Sequence, residues 1–247
     1  MNYIKEVFDK HGISVTDQQA EKLYKYFEML VEKNKVMNLT AITEYKEVVV
    51  KHFLDSAYLL KYVDREKLAG KKMIDIGTGG GFPGIPLKIL CPELEILLLD
   101  SLNKRILFLD DVIRELKLDK ISTIHGRAEE IAKKAEYREQ FDYAVSRAVA
   151  NLNSLSEISL PFVKCNGQFI SYKSMKGEEE LEDATHAVAI LGGSLKNKAK
   201  AVVRFTLEED SAGIEPMERN FIMINKVKST PKKYPRKPGT PFKEPLK

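Results

Sequence analysis

The sequence predicts an α/β fold, a mostly parallel sheet covered by helices, with a helical cap at its N-terminal end. Three observations carry this. No glycine or proline interrupts residues 13–66, which suits helices. From Lys71 onward, short apolar runs of strand length alternate with segments of helical period, the pattern of a parallel sheet covered on both faces. A glycine cluster separates the first of these runs from the first of these helices, where an open α/β sheet binds its ligand. The length, 247 residues, fits one large domain with a small appendage. The expected division is a helical cap over 1–66 and a sheet domain over 67–247, ending in a basic, proline-rich tail over 227–247.

Each element has a local reason. Thr16, with Gln19 three positions on, forms a capping-box signature. It opens a helix that carries Leu23, Phe27, Leu30 and Val31 on one face. Thr43 is a second start signal, ahead of Val48, Val49, Phe53, Ala57 and Leu60. Lys72–Ile76 reads as a short buried strand. Gly84–Leu90 opens a helix with Pro86 in its first turn. Glu95–Leu99 is a second strand, ending at Asp100. Lys104–Leu116 has helical spacing through Ile106, Leu109, Ile113 and Leu116. Ile121–Ile124, Phe141–Ser146 and Gly167–Tyr172 are three further strands, with a helix after Gly126-Arg127-Ala128-Glu129 and another over Asn151–Phe162. A helical stretch of acids and alanines leads to two β-rich segments, Ala199–Leu207 and Asn220–Lys226, expected to close the sheet as an antiparallel pair.

Composition narrows the function classes. Hydrophobic residues make up 43% and charged residues 31%, an ordinary balance for a globular protein with a real core. The two cysteines, Cys91 and Cys165, are far apart and without a CxxC, so neither a disulfide framework nor a cysteine zinc site is expected. His11, His52, His125 and His186 are scattered without metal-ligand spacing; no metal is expected, and His125 and His186 read as structural. Met1–Lys10 has charges of both signs and no long apolar run, so no signal peptide or membrane span is expected. A cytoplasmic protein fits. From Lys226 to Lys247 eight basic side chains face the single acid Glu244, so the rest of the chain is net acidic. Half of the ten prolines also lie there, which argues against regular helix or central strand. Two readings of this tail stand open: a solubilising extension, or a contact for a polyanion.

The chemistry lies in Asp75-Ile-Gly77-Thr-Gly79-Gly80-Gly81-Phe82-Pro83-Gly84. Glycines are needed there for a sharp turn and close backbone approach to a ligand. Gly79-x-Gly81-x-x-Gly84 fits the dinucleotide pattern, a weak signal on its own. Asp75-x-Gly77-x-Gly79-x-Gly81 fits the Rossmann-like class I methyltransferase pattern. The acid at the strand end separates the two. A pyrophosphate is repelled by a neighbouring carboxylate, whereas the ammonium and sulfonium of S-adenosylmethionine are attracted to it. Asp100 ends the second strand, where an acid accepts hydrogen bonds from ribose hydroxyls. Ala128 and Glu129 follow the third strand, at the place that meets adenine. Ser146-Arg147-Ala148 follows the fourth, at the carboxyl edge of the sheet. Gly79 is expected to bring backbone against the cofactor. The Asn-Pro-Pro-aromatic tetrad used on exocyclic amino groups is missing. Neither cysteine has a setting for covalent catalysis on carbon 5.

Taken together, these residues resemble the family of bacterial small-subunit ribosomal RNA methyltransferase G, formerly glucose-inhibited division protein B. The likeness runs through Asn34, Asn38-Leu-Thr-Ala-Ile42, His52-x-x-Asp55-Ser56, Asp75 to Leu87, Asp100-Ser101, Lys104-Arg105, Phe108-Leu109, Phe141-Asp142, Ser146-Arg147-Ala148, Lys176-Gly177, Tyr234-Pro235-Arg236 and Pro245-Leu246. It implies methyl transfer from S-adenosylmethionine to N7 of a guanine in 16S ribosomal RNA, free or in the small-subunit particle, by a chain expected to be monomeric. It also implies cofactor contacts at Gly77, Phe82, Ala128, Glu129 and Arg147. One departure is Lys33, where the family often has Trp; it bears on the packing of that junction, not on the cofactor site. Asn38, and His52 with Asp55, either face the substrate or hold the cap to the sheet. The competing functions are a small-molecule or protein methyltransferase, which has no need of the basic tail; an RNA-binding module without catalysis, which has no need of the acid–glycine loop; and a nicotinamide-dependent oxidoreductase.

Overall fold

The structure is a computed structural model that describes residues 2–147, 150–174, 179–195, 201–207 and 213–247. Ala148, the Lys176-Gly177 pair and the Ala199 strand start therefore lie outside the described residues.

The cap begins with α1 (Asn2–Lys10) and α2 (Asp17–Met37). Thr16 caps α2: its side chain accepts from the Gln19 N–H, and the Gln19 side chain accepts from the Thr16 N–H. Asn38 ends the helix at φ 41°, a left-handed position that asparagine tolerates. The next segment is one continuous helical path with changing pitch: α3 (Tyr45–Val48), a π-turn over Val49–Leu54, α4 (Asp55–Ala57) and a 3₁₀ turn over Tyr58–Lys61. Its cap is Glu44, whose carboxylate accepts from the Glu47 N–H, not the expected Thr43. A carboxylate at a helix start also meets the positive end of the helix dipole. The short α5 (Arg65–Leu68) leads to the sheet.

The strands are β1 (Lys72–Ile76), β2 (Glu95–Asp100), β3 (Ile121–His125), β4 (Phe141–Arg147), β5 (Val163–Ser174), β6 (Gly193–Ser194), β7 (Val202–Leu207) and β8 (Met217–Lys226). Among the described residues they form one sheet in the order β3-β2-β1-β4-β5-β8-β6, with β7 also paired to β8. β1 to β5 are parallel; β8 runs antiparallel to β5, β6 and β7. The expected antiparallel closure is present, and β8 lies between β5 and β7. The helices between strands are α6 (Gly84–Leu90), α7 (Asn103–Glu115), α8 (Ala128–Ile131), α9 (Leu152–Ser159) and α10 (Glu179–Ile190).

Two apolar clusters cover the two faces of the sheet. One unites the cap, through Phe8, Leu23, Tyr26, Leu30 and Phe53, with α6, α7 and sheet residues such as Val145 and Phe221. The other joins α8, α9 and α10 to Ile74, Ala144, Phe169 and Ile222.

The tail corrects the sequence reading. It includes a helical turn, α11 (Thr240–Lys243), with Pro241 in its first turn, where a missing N–H costs nothing. It also packs against the body rather than standing in solvent. Thr230, Tyr234 and Pro241 are buried. Arg236 grips the fully buried Glu157 through Nε and Nη2, at 2.6–3.1 Å. Arg138 donates to the Thr230 and Tyr234 carbonyls. Lys226 is buried and donates to Leu160 O at 2.5 Å and Thr230 Oγ1 at 2.7 Å, with Glu139 3.1 Å away. Two of the eight positive charges in this segment are therefore used internally.

Candidate cofactor and nucleotide site

The carboxyl ends of β1, β2 and β4 open into a cleft of about 390 Å³, lined by Gly77, Thr78, Gly79, Gly80, Phe82, Asp100, Ser101, Arg105 and Arg147 from the sheet domain and by Leu39, Thr40 and His52 from the cap. A second, smaller cavity continues past Gly77, Asp100 and Ser101 to Gly126, Arg127, Ala128 and Glu129. All seven expected cofactor residues thus border one run of cavities. Gly77, Gly79, Phe82, Asp100 and Arg147 line the first part, and Ala128 and Glu129 the second.

The glycine loop is held from below and from above. Gly77, Gly79 and Gly81 have φ of 69°, 61° and 105°, conformations that favour glycine. They differ in what surrounds them. A Cβ on Gly79 would meet nothing closer than Gly77 O at 4.0 Å, because it faces the open cleft. A Cβ on Gly81 would lie 2.6 Å from Tyr26 Oη and 2.7 Å from Ile85. Gly79 is therefore free for ligand approach, while Gly81 is a packing glycine. Asp75 is fully buried beneath the loop and does not line the cleft. Its Oδ2 accepts from Thr78 Oγ1 (2.7 Å) and the Gly84 N–H (2.9 Å), fastening both ends of the loop. Burial raises its pKa to about 6, against the lowering effect of those two hydrogen bonds. The acid expected to face the cofactor is thus a brace, and the carboxylate at the cleft is Asp100. Its Oδ2 accepts from the Gly79 N–H (2.9 Å) and Arg105 (3.2 Å), and its Oδ1 from the Leu102 N–H (2.9 Å). A carboxylate has about four acceptor sites, so capacity remains for a hydroxyl-bearing ligand.

From above, Tyr26 on α2 donates to Gly80 O and packs against Phe82, with ring centroids 5.5 Å apart. The sequence reading passed over Tyr26, although it lies three residues after Leu23 and four before Leu30, on the same helical face. Phe82 carries the His52 ring on it at 4.6 Å, and the Arg147 guanidinium lies 4.9 Å from its ring centroid.

Arg147 joins sheet and cap. Nη1 donates to Asp55 Oδ2 (2.8 Å) and Lys51 O (3.2 Å), and Nη2 points at His52 Nδ1 (3.1 Å). Asp55 is also held by Arg219 from β8, at 3.3 Å. Nδ1 of His52 also lies 3.1 Å from the Lys51 carbonyl, and Nε2 lies 2.7 Å from Thr40 Oγ1, so both ring nitrogens have partners. Burial and the Arg147 charge push the His52 pKa down to about 3. His52 is a neutral, fully engaged imidazole. Of the two roles left open for His52 and Asp55, the geometry favours holding cap to sheet. Asn38 is exposed at the end of α2 and lines none of these cavities. Asn34 instead orders the junction, its Oδ1 accepting from Leu39 and Thr40 N–H.

Comparisons with known proteins identify the family. A family model described as rRNA small subunit methyltransferase G matches residues 19–205. A protein of that name from Lachnoclostridium phytofermentans is 53% identical over 235 residues, 95% of this chain and 93% of the relative. Another, from Staphylococcus epidermidis, is 48% identical over 246 residues, 100% of this chain and 98% of the relative. Among solved structures, P. horikoshii TYW2 in complex with MeSAdo is similar at a TM-score of 0.50 and 11% identity, over 71% of this chain and 63% of that one. That likeness speaks to the Rossmann-like fold. With a family match over most of its length and near-full-length relatives at about half identity, this chain belongs to the rRNA small subunit methyltransferase G family.

Proposed function

We propose that this chain transfers a methyl group from S-adenosylmethionine to N7 of a guanine in 16S ribosomal RNA. The observation that carries the reading is the acid-anchored glycine loop: Gly79 presents open backbone to the cleft, and Asp100 sits at its mouth. When bound, the cofactor supplies a methyl group on a sulfonium centre. Gly77 and Gly79 allow close backbone approach, Asp100 takes the ribose hydroxyls, Ala128 and Glu129 meet the base, and Phe82 and Arg147 shape the side towards the cap. Guanine N7 has an in-plane lone pair and no proton, so positioning suffices and a general base is unnecessary. The state of His52 agrees: both ring nitrogens are engaged and the ring is neutral, so it takes no proton from the substrate. Arg147, fixed by Asp55 and Lys51, acts by orienting. The division into a cap over 1–66 and a catalytic domain over 67–247, a monomeric state, independence from metal and a cytoplasmic location belong to the same reading. No helix among the described residues is long and apolar enough to cross a membrane.

The test is mass spectrometry of 16S RNA from cells with and without the gene. Loss of one 7-methylguanosine is expected; an unchanged set of modified nucleosides contradicts the assignment.

A further inference from the structure

The C-terminal tail does more than carry charge. After Arg236 clamps on Glu157, the chain turns at Gly239, whose N–H donates to Glu129 Oε1 at 2.8 Å. The next residues are tied to α9. Ser154 Oγ donates to Pro241 O (2.7 Å) and Asn153 Nδ2 donates to Leu246 O (2.6 Å). Phe242 lies between these ties. It is 43% exposed, and it lines the smaller cavity together with Ile76, Leu99, Ile158, Ala128 and Glu129. The ring is half-exposed, lines a cavity and stands on a strap fastened on both sides of it. It suits a flat ligand that would cover it.

We propose that the tail forms the outer wall of the adenosine subsite, with Phe242 as the surface against which the cofactor's adenine ring lies and Glu129 as the residue that couples strap to pocket. This rests on the cofactor assignment above. Tail and cofactor are then linked: the strap contributes to nucleoside affinity through Phe242 and Gly239, while Lys232, Lys233 and Lys237 are exposed to solvent and accessible to RNA phosphates. An apolar aromatic wall selects for an adenine face over a charged ligand, and the occupant predicted is the adenosine part, not the methionine part.

The chain contains no tryptophan, so Phe242→Trp creates a single indole fluorophore at this position. Titration with S-adenosylhomocysteine and with 5′-methylthioadenosine should quench its emission, while methionine should leave it unchanged. By calorimetry, Phe242→Ala should weaken S-adenosylhomocysteine binding about tenfold, equivalent to about 1.4 kcal/mol, with an unchanged Tm. Phe242→Tyr should bind within about twofold of the parent. Emission that ignores saturating S-adenosylhomocysteine, or equal affinity of the alanine variant and the parent, overturns the proposal. If the parent itself fails to bind S-adenosylhomocysteine, the cofactor assignment falls, and this inference with it.

Discussion

Acidification should lower the stability of the fold through His52, and the size of the effect follows from its surroundings. In the folded chain its pKa is near 3, because burial and the Arg147 guanidinium disfavour the charged ring; in the unfolded chain it is about 6.5. The folded pKa is the lower one, so the unfolded chain takes up the proton first. Stability is therefore intact above pH 6.5 and is lost as pH falls below it. Between pH 7 and pH 5 the loss from this residue is about 2 kcal/mol, at 1.36 kcal/mol per pH unit below the unfolded pKa. Asp75 acts in the opposite sense. Its folded pKa of about 6 lies above the ordinary carboxylate value of 3.8, so its protonation on acidification favours the folded state. A comparison of variants removes that contribution. Urea unfolding of the parent and of His52→Asn at pH 7 and pH 5 isolates the histidine. The amide oxygen of Asn can accept from Arg147 and does not titrate. The parent should lose about 2 kcal/mol more than the variant on going to pH 5. Equal losses would refute the neutral, Arg147-facing imidazole.

The remaining outcomes concern the loop, the tail and the chemistry. Gly79→Val should fold, at a backbone cost of about 1–3 kcal/mol, yet show no S-adenosylmethionine binding by calorimetry. Gly81→Ala should lower Tm steeply, because its methyl group would collide with Tyr26 and Ile85; the reverse pattern would exchange the roles of the two glycines. Arg236→Ala should destabilise the fold by about 3 kcal/mol in chemical denaturation, since it strands a buried carboxylate. Neutralising Lys232, Lys233 and Lys237 should spare Tm and cofactor affinity but flatten the salt dependence of RNA binding. The log–log slope should fall by about 0.7 for each single-strand phosphate that is no longer neutralised; an unchanged slope removes the tail from the RNA interface. Single-turnover methyl transfer should be nearly flat from neutral to mildly alkaline pH, whereas a rate proportional to hydroxide would point to a target atom that must lose a proton.

The parallel strands and the cofactor loop were legible because each leaves a local mark. A buried parallel strand is a short apolar run, and a loop that requires positive φ and backbone access shows as glycine after such a run. Asp100 was legible only in combination: an acid at a strand end is by itself more often a surface residue, and the glycine loop at this spacing is what marks it as a cofactor residue. What the residues left unsaid is pairing. Asp75 and Asp100 look alike in sequence, yet Asp75 is spent on Thr78 and Gly84, while Asp100 reaches the cleft. Arg236 looks like any other charge in a basic tail, but its partner Glu157 is 79 residues away. Composition reports the charge and not the neutraliser, so neither reading of the tail, solubilising extension or polyanion contact, included its fastening to the body. Tyr26 was within reach of helical spacing, since it shares a face with Leu23 and Leu30, but its hydroxyl target on Gly80 was not. Phe242 carries no local signal, because the prolines around it do not say what its ring packs against.

The chemical identity of the product tests the account most directly. Small-subunit RNA from cells lacking the gene, incubated with the purified protein and S-adenosylmethionine, should acquire one methyl group. After borohydride reduction and aniline treatment, the RNA should break at a single guanine, and Gly79→Val protein should leave it intact. Methyl incorporation without an aniline-labile guanine would place the methyl on another atom and contradict direct attack by N7.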